Sequence, residues 1–177
     1  MRIFAFLLFL SFASNAQKYS PVVPDTEILP FLDWYFDQLK QERILSREIG
    51  KFNIRDFETM PNEAPNFPDL DLFYKNNPFY LTEKDRVFLL KQIQSNNILK
   101  WETAFKNTSL IDYKYSQKDQ RTVFWYTVPI FSIDKKTAIL EEYFNCGMLC
   151  GGSLIQVFRK NDDGSWRLVR EFQGLAE

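Results

Sequence analysis

The stretch 136–160, KTAILEEYFNCGMLCGGSLIQVFRK, constrains the fold more than any other part of the chain. Residues 137–144 and 153–158 are short runs rich in β-branched and aromatic residues, which favours two strands over a helix. Between them lie Gly147, Gly151 and Gly152, which supply the backbone freedom that a tight connection needs. The chain's two cysteines, Cys146 and Cys150, fall in the same connection, four residues apart. A curled loop brings two such residues within the roughly 4.4–6.8 Å that a disulfide requires. The spacing therefore predicts a local bridge that pins the loop. A redox pair of C-x-x-C type opening a helix does not match, and two thiolates without a histidine make a poor zinc site. The glycines lack the G-x-x-x-x-G-K-[ST] pattern of a phosphate cradle.

The remaining strands follow from this hairpin. Residues 109–113, 122–131, 137–144, 153–160 and 166–172 read as strands. Asn161-Asp162-Asp163-Gly164 is a hairpin turn with Gly164 at the position needing positive φ. Connections this short imply antiparallel neighbours.

Upstream, Phe31, Trp34, Tyr35 and Leu39 recur at near-helical spacing after a start at Asp25 or Thr26, with Pro30 tolerated in the first turn. Residues 41–51 have no clean period and fit either a helix extension or a strand. Residues 53–80 hold Pro61, Pro65, Pro68 and Pro78 among six aromatic residues, the pattern of an ordered loop wrapped over a domain. Residues 69–74 suit a short helical turn within it. Residues 81–95 form the clearest helix, with Thr82 as N-cap and Asp85 three residues on, a variant of the capping box. Val87, Leu90 and Ile93 are its expected buried face, widened by Phe88. Residues 98–101 read as a short extended piece. The expected fold is α+β: N-terminal helices packed on one face of a C-terminal antiparallel β-meander.

The first sixteen residues, MRIFAFLLFLSFASNA, carry a basic Arg2, an apolar run from Ile3 to Phe12 and a small-x-small ending at Ala16. This is the pattern of a secretory signal peptide, too short to span a bilayer. Cleavage near Ala16 would leave 17–177 as a single globular domain, exported to the periplasm or beyond. No cysteine lies near the cleavage site, so no lipid anchor is expected, nor is a later membrane span. Export also favours the Cys146–Cys150 bridge.

The C-terminal half resembles a pattern in uncharacterised exported bacterial proteins. The likeness rests on Pro129, Phe131, Ser132, Asp134, Ala138, Cys146, Gly147, Cys150, Gly151, Lys160, Gly164 and Trp166, and on LTEKDRVFLLKQI followed by Trp101. It covers about the last hundred residues. It implies the fold and export, and no activity, because the group has no established function.

The formal net charge is −1, and losing Arg2 with the leader makes it one unit more negative. Without a basic cluster, nucleic acid is a poor partner. The chain has no histidine, which excludes Ser-His-Asp and Cys-His catalysis and histidine-bearing metal centres. No cofactor or metal is expected. Aromatic residues make up 17 % of the chain, four of the 18 Phe lying in the leader, so either the core or a binding surface is rich in rings. Trp34 and Asp37 on the first helix, and Glu141 and Glu142 on the central strand, are the candidate ligand-binding residues. Glu141 and Glu142 are adjacent, so a strand points them to opposite faces and they cannot form one acid–base pair. One must face inward beside Ala138, Leu140 and Phe144. Asp33, Asp69 and Asp71 add acids without a marked pairing. Asn107-Thr108-Ser109 fits a glycosylation sequon, which carries no meaning in a bacterial chain. The expectation is an exported domain that binds an unidentified protein or small molecule without catalysis. The alternative is a hydrolase working with two carboxylates on envelope or extracellular polymers.

Overall fold

The computed structural model describes residues 17–54, 81–96, 100–113, 121–147 and 150–173. Its elements, in order, are α1 (Asp25–Asp37), β1 (Arg43–Ser46), α2 (Glu83–Ser95), β2 (Thr108–Ile111), β3 (Val123–Tyr126), β4 (Ile130–Phe131), β5 (Thr137–Gly147), β6 (Cys150–Lys160) and β7 (Trp166–Gln173). The strands form one sheet in the order β2-β1-β3-β5-β6-β7, with β4 also paired to β5.

The sheet is mixed, which corrects the expected all-antiparallel meander. From β3 to β7 every pairing is antiparallel, but β1 lies parallel to both β2 and β3. The ambiguous 41–51 segment supplies the extra strand. Its four residues are too few to show a period in the sequence, and its partners lie more than sixty positions downstream.

The strand read over 122–131 divides in two. Pro129 has no N–H to give a ladder, and Thr127 takes over locally. Its N–H donates to Glu141 O (3.0 Å), and its Oγ1 accepts from Glu141 N (3.1 Å). β4 then resumes pairing on the same side of β5.

Alternation along β5 sends Ala138, Leu140 and Glu142 to one face and Ile139 and Glu141 to the other. The first face packs on α1. Ile28, Phe31, Leu32, Tyr35 and Phe36 form its buried stripe at positions i, i+3, i+4, i+7 and i+8. Phe31 meets Phe131, Phe158 and Trp166 edge-on, at centroid distances of 5.8, 5.3 and 5.1 Å. Such pairs contribute about 0.5–1.5 kcal/mol each beyond the area they bury. The second face carries Ile139, Ile155, Val157 and Val169, and α2 contributes Leu89 to that cluster. The helices therefore do not share one face: α1 covers the first, and α2 packs mainly on the second, with Phe88 reaching the α1 side.

The N-cap of α1 is Pro24, ahead of the expected Asp25 or Thr26, so the helix starts at Asp25 and Pro30 lies in the second turn. Asp25 instead accepts from the backbone N–H groups of Lys18 and Tyr19 (2.9 and 3.0 Å), tying down the lead-in. At the other end, Asn107 adopts φ 57° and donates through Nδ2 to Phe36 O (3.1 Å) and Leu39 O (3.4 Å). The side chain of the sequon is thus spent on satisfying helix-end carbonyls.

α2 has the expected capping box: Asp85 N donates to Thr82 Oγ1 (3.1 Å), and Thr82 N to Asp85 Oδ2 (3.2 Å). Its inward face differs from the expected one. Val87 is 60 % exposed, and the buried residues are Leu89 and Gln92. The helix is rotated to bring Gln92 against the outer edge of β4, where its amide bonds to the main chain of Phe131.

Cys146 and Cys150 are joined as a disulfide, with Cα atoms 5.1 Å apart. The strands run further toward it than expected, to Gly147 and from Cys150, with a bulge between Asn145 and Gly147. Of the three glycines here, only Gly147 has the positive φ of a turn glycine, at 116°. Gly151 and Gly152 are strand residues. A Cβ at Gly152 would lie 3.2 Å from the Phe144 ring opposite, so that glycine makes room for an aromatic neighbour. The Asn161–Gly164 turn forms as expected, with Gly164 at φ 86° and its N–H donating to Asn161 O (3.0 Å). The suggested loop over 53–80 lies, beyond residue 54, outside the described residues. So do residues 98 and 99 of the extended piece at 98–101.

Candidate functional site

Five elements converge on Glu142. The carboxylate sits on the α1 face of β5 and is 5 % exposed. Burying it costs free energy unless a cation and hydrogen bonds accompany it. Arg43, at the start of β1, donates from Nη1 to Glu142 Oε2 (2.6 Å). Tyr35 on α1 donates its hydroxyl to the same oxygen (3.0 Å). The same hydroxyl lies 3.0 Å from Gln156 Oε1 on β6. Gln156 in turn donates from Nε2 to Glu171 on β7 (3.1 Å). Tyr126 on β3, fully buried, accepts from Arg43 Nη1. Register explains the meeting: Tyr126 lies directly across from Glu142 in the β3–β5 ladder, and Leu140 across from Gln156 in β5–β6.

The electrostatics follow from burial. Tyr35 is held well above the ordinary phenol range, first by desolvation, then by Tyr126 and Glu142. Tyr126 is raised too, again by desolvation first and by Glu142 second. Burial alone would lower Arg43, but Tyr126 and Glu142 outweigh it and its guanidinium is held above its usual value.

Arg43 is one point where this network meets solvent, Glu171 at its other end being another. Its guanidinium lies over the Phe124 ring, 4.4 Å from the centroid, and 27 % of its side chain is exposed. There it lines an open cleft of about 620 Å³ between the α1–β1 connection and the start of β3. Gln38, Lys40 and Glu42 form one wall, and Thr122 and Phe124 the other.

The four candidates fall in different places. Glu142 is in the network. Glu141 faces the opposite side, as the alternation requires, and accepts from the backbone N–H of Asn53 at 3.1 Å. Trp34 is half-buried in the core against Phe158 (5.7 Å) and Phe31 (6.0 Å). Asp37 lies at the surface in an ion pair with Lys106. Tyr35, Arg43, Tyr126 and Gln156 are not among the site candidates read from the sequence, where Tyr35 figures only in the spacing of the first helix. One signal was available: an inward carboxylate on β5 demands a cation within reach, and here it comes from β1, two strands away across β3. Arg43 could not be chosen without knowing that β1 is a strand.

Among the described residues, no group of three potential metal ligands gathers, and no helix is long and apolar enough to cross a membrane. No protein-family model matches the chain, and neither a curated protein nor a solved structure matches it.

Proposed function

We propose that this protein is an exported domain that binds a partner or small ligand without catalysing a reaction on it. The observation that carries this reading is the way the acids are committed. Glu142 is clamped by Arg43 and Tyr35, Glu141 points to the other face of the sheet, and Asp37 is paired at the surface. Carboxylate-dependent hydrolysis needs two carboxyls flanking one substrate bond. Of the described acids, only Glu42 lines the Arg43 cleft. That cleft has the volume of a small-molecule site and a mixed polar and apolar wall.

Export is part of the proposal. It is supported by the leader-like residues 1–16 and by a disulfide, which persists in oxidising compartments. Intact-mass measurement of secreted or periplasmic material should show a chain beginning near Gln17; material still beginning at Met1 would refute export by cleavage. For binding, a thermal-shift screen of the exported protein against a library of small organic acids, amines, sugars and short peptides should give saturable stabilisation by at least one class. Turnover of a polysaccharide or peptidoglycan substrate would favour the hydrolase instead.

A further inference from the structure

Among the described residues, Arg43 uses only one corner of its guanidinium. Its bonds to Glu142 and Tyr126 both leave from Nη1. Among the described residues, Nε and Nη2 have no protein acceptor, and the side chain opens onto the cleft. The planar Nε/Nη2 edge is a two-pronged donor that matches the two oxygens of a carboxylate. Anchored by Nη1 and seated on Phe124, it loses little freedom on taking a ligand.

The surrounding charges define what the edge can accept. Arg43 is balanced by Glu142 behind it, and Lys40 and Glu42 offset each other on the cleft wall. The negative end of α1 is nearby, but three of its last four carbonyls are occupied. Asn107 donates to Phe36 O and Leu39 O, and the Gln38 N–H donates to Trp34 O and Tyr35 O. The cleft is therefore close to neutral and suits one negative charge better than two. Leu39 and the exposed part of Phe124 offer an apolar wall beside the donor edge.

We infer that the Arg43 cleft binds a small monocarboxylic acid, its carboxylate held by Arg43 Nε and Nη2 and its apolar body against Leu39 and Phe124. This rests on the binding reading above and narrows it to one ligand class and one site.

Phenylacetate is a suitable probe, with phenylacetamide as its neutral counterpart and phenyl phosphate as the more highly charged one. Titrated into isotope-labelled exported protein, phenylacetate should cause saturable amide shifts confined to 38–44 and 122–124. Phenylacetamide should bind about tenfold more weakly or worse, because it lacks the charge-assisted pair of bonds. Arg43→Lys keeps the charge and loses the fork, and should weaken phenylacetate by a similar factor. Because that change also touches Glu142, Lys40→Glu is the second variant: it leaves the buried network intact and should weaken phenylacetate several-fold. Equal binding of the amide, tighter binding of phenyl phosphate, shifts centred elsewhere, absence of saturation, or an unchanged Lys40→Glu affinity would each overturn the assignment. Library ligands that bind away from the cleft would overturn it while upholding the broader binding function; a library with no binder at all would sink both.

Discussion

The side-chain amide of Gln92 pairs with the main chain of Phe131 as a neighbouring strand would: Phe131 N donates to Oε1 at 2.9 Å and Nε2 donates to Phe131 O at 2.7 Å. β4 has β5 on one side only, so the outward N–H and C=O of Phe131 would otherwise be buried without partners. Gln92→Leu keeps the volume and removes both bonds. It should cost about 2–4 kcal/mol, the penalty for two unsatisfied buried groups. Urea denaturation would read this as a lower midpoint with an unchanged slope, whereas a loss under about 0.5 kcal/mol would mean that the edge is satisfied in another way.

Arg43 and Glu142 should behave as a coupled pair. Arg43→Met leaves the Glu142 carboxylate buried without its cation, a loss of about 3 kcal/mol, at the low end for buried pairs because Arg43 is partly exposed. The double variant Arg43→Met/Glu142→Gln should recover most of that loss, since a neutral amide needs no counter-charge. A double-mutant cycle on denaturation free energies measures the coupling. Strictly additive losses would show that the two side chains do not depend on each other.

Tyr35 and Tyr126 make stability sensitive to alkali. Both phenols are raised in the folded state above the ordinary value of 10.0. The folded protein therefore retains protons that the unfolded chain gives up. Their contribution is fully present below about pH 10 and is lost as pH rises from there toward the folded values. The slope should approach about −1.4 kcal/mol per pH unit for each tyrosine. Denaturation curves between pH 8 and 11.5 should steepen downward above pH 10, and less so in Tyr35→Phe/Tyr126→Phe. An identical decline in that variant would assign the effect to other groups.

The Cys146–Cys150 bridge closes a ring of about five residues, for which loop-closure entropy gives about 2 kcal/mol at most. The Cys146→Ser/Cys150→Ser protein should therefore fold, with a modestly lower melting temperature. Thiol labelling of the native protein without reductant should find no free thiol. Two reactive thiols would remove the structural role and revive a redox one.

How much could be read in advance depends on the range over which each feature is decided. The capping box at Thr82 and Asp85, the Asn161–Gly164 turn, the opposed directions of Glu141 and Glu142, and the meeting of Cys146 with Cys150 involve partners at most four residues apart. Rotamer, φ and alternation rules act at that distance, so the residues alone carry the information.

What the tertiary structure decided is where distant segments meet. β1 is a strand only because β2 and β3 flank it. Gln92 is buried, and Val87 exposed, only because the edge of β4 needs a hydrogen-bond partner. The pairing of Glu142 with Arg43 joins residues 99 positions apart. Chain-closing entropy, burial and charge compensation settle such contacts together, and none of them leaves a local pattern. The amino-acid sequence determined that one carboxylate of β5 must face the core. Only the folded sheet determined which cation would meet it, and that part of that cation's side chain would stay exposed at a cleft.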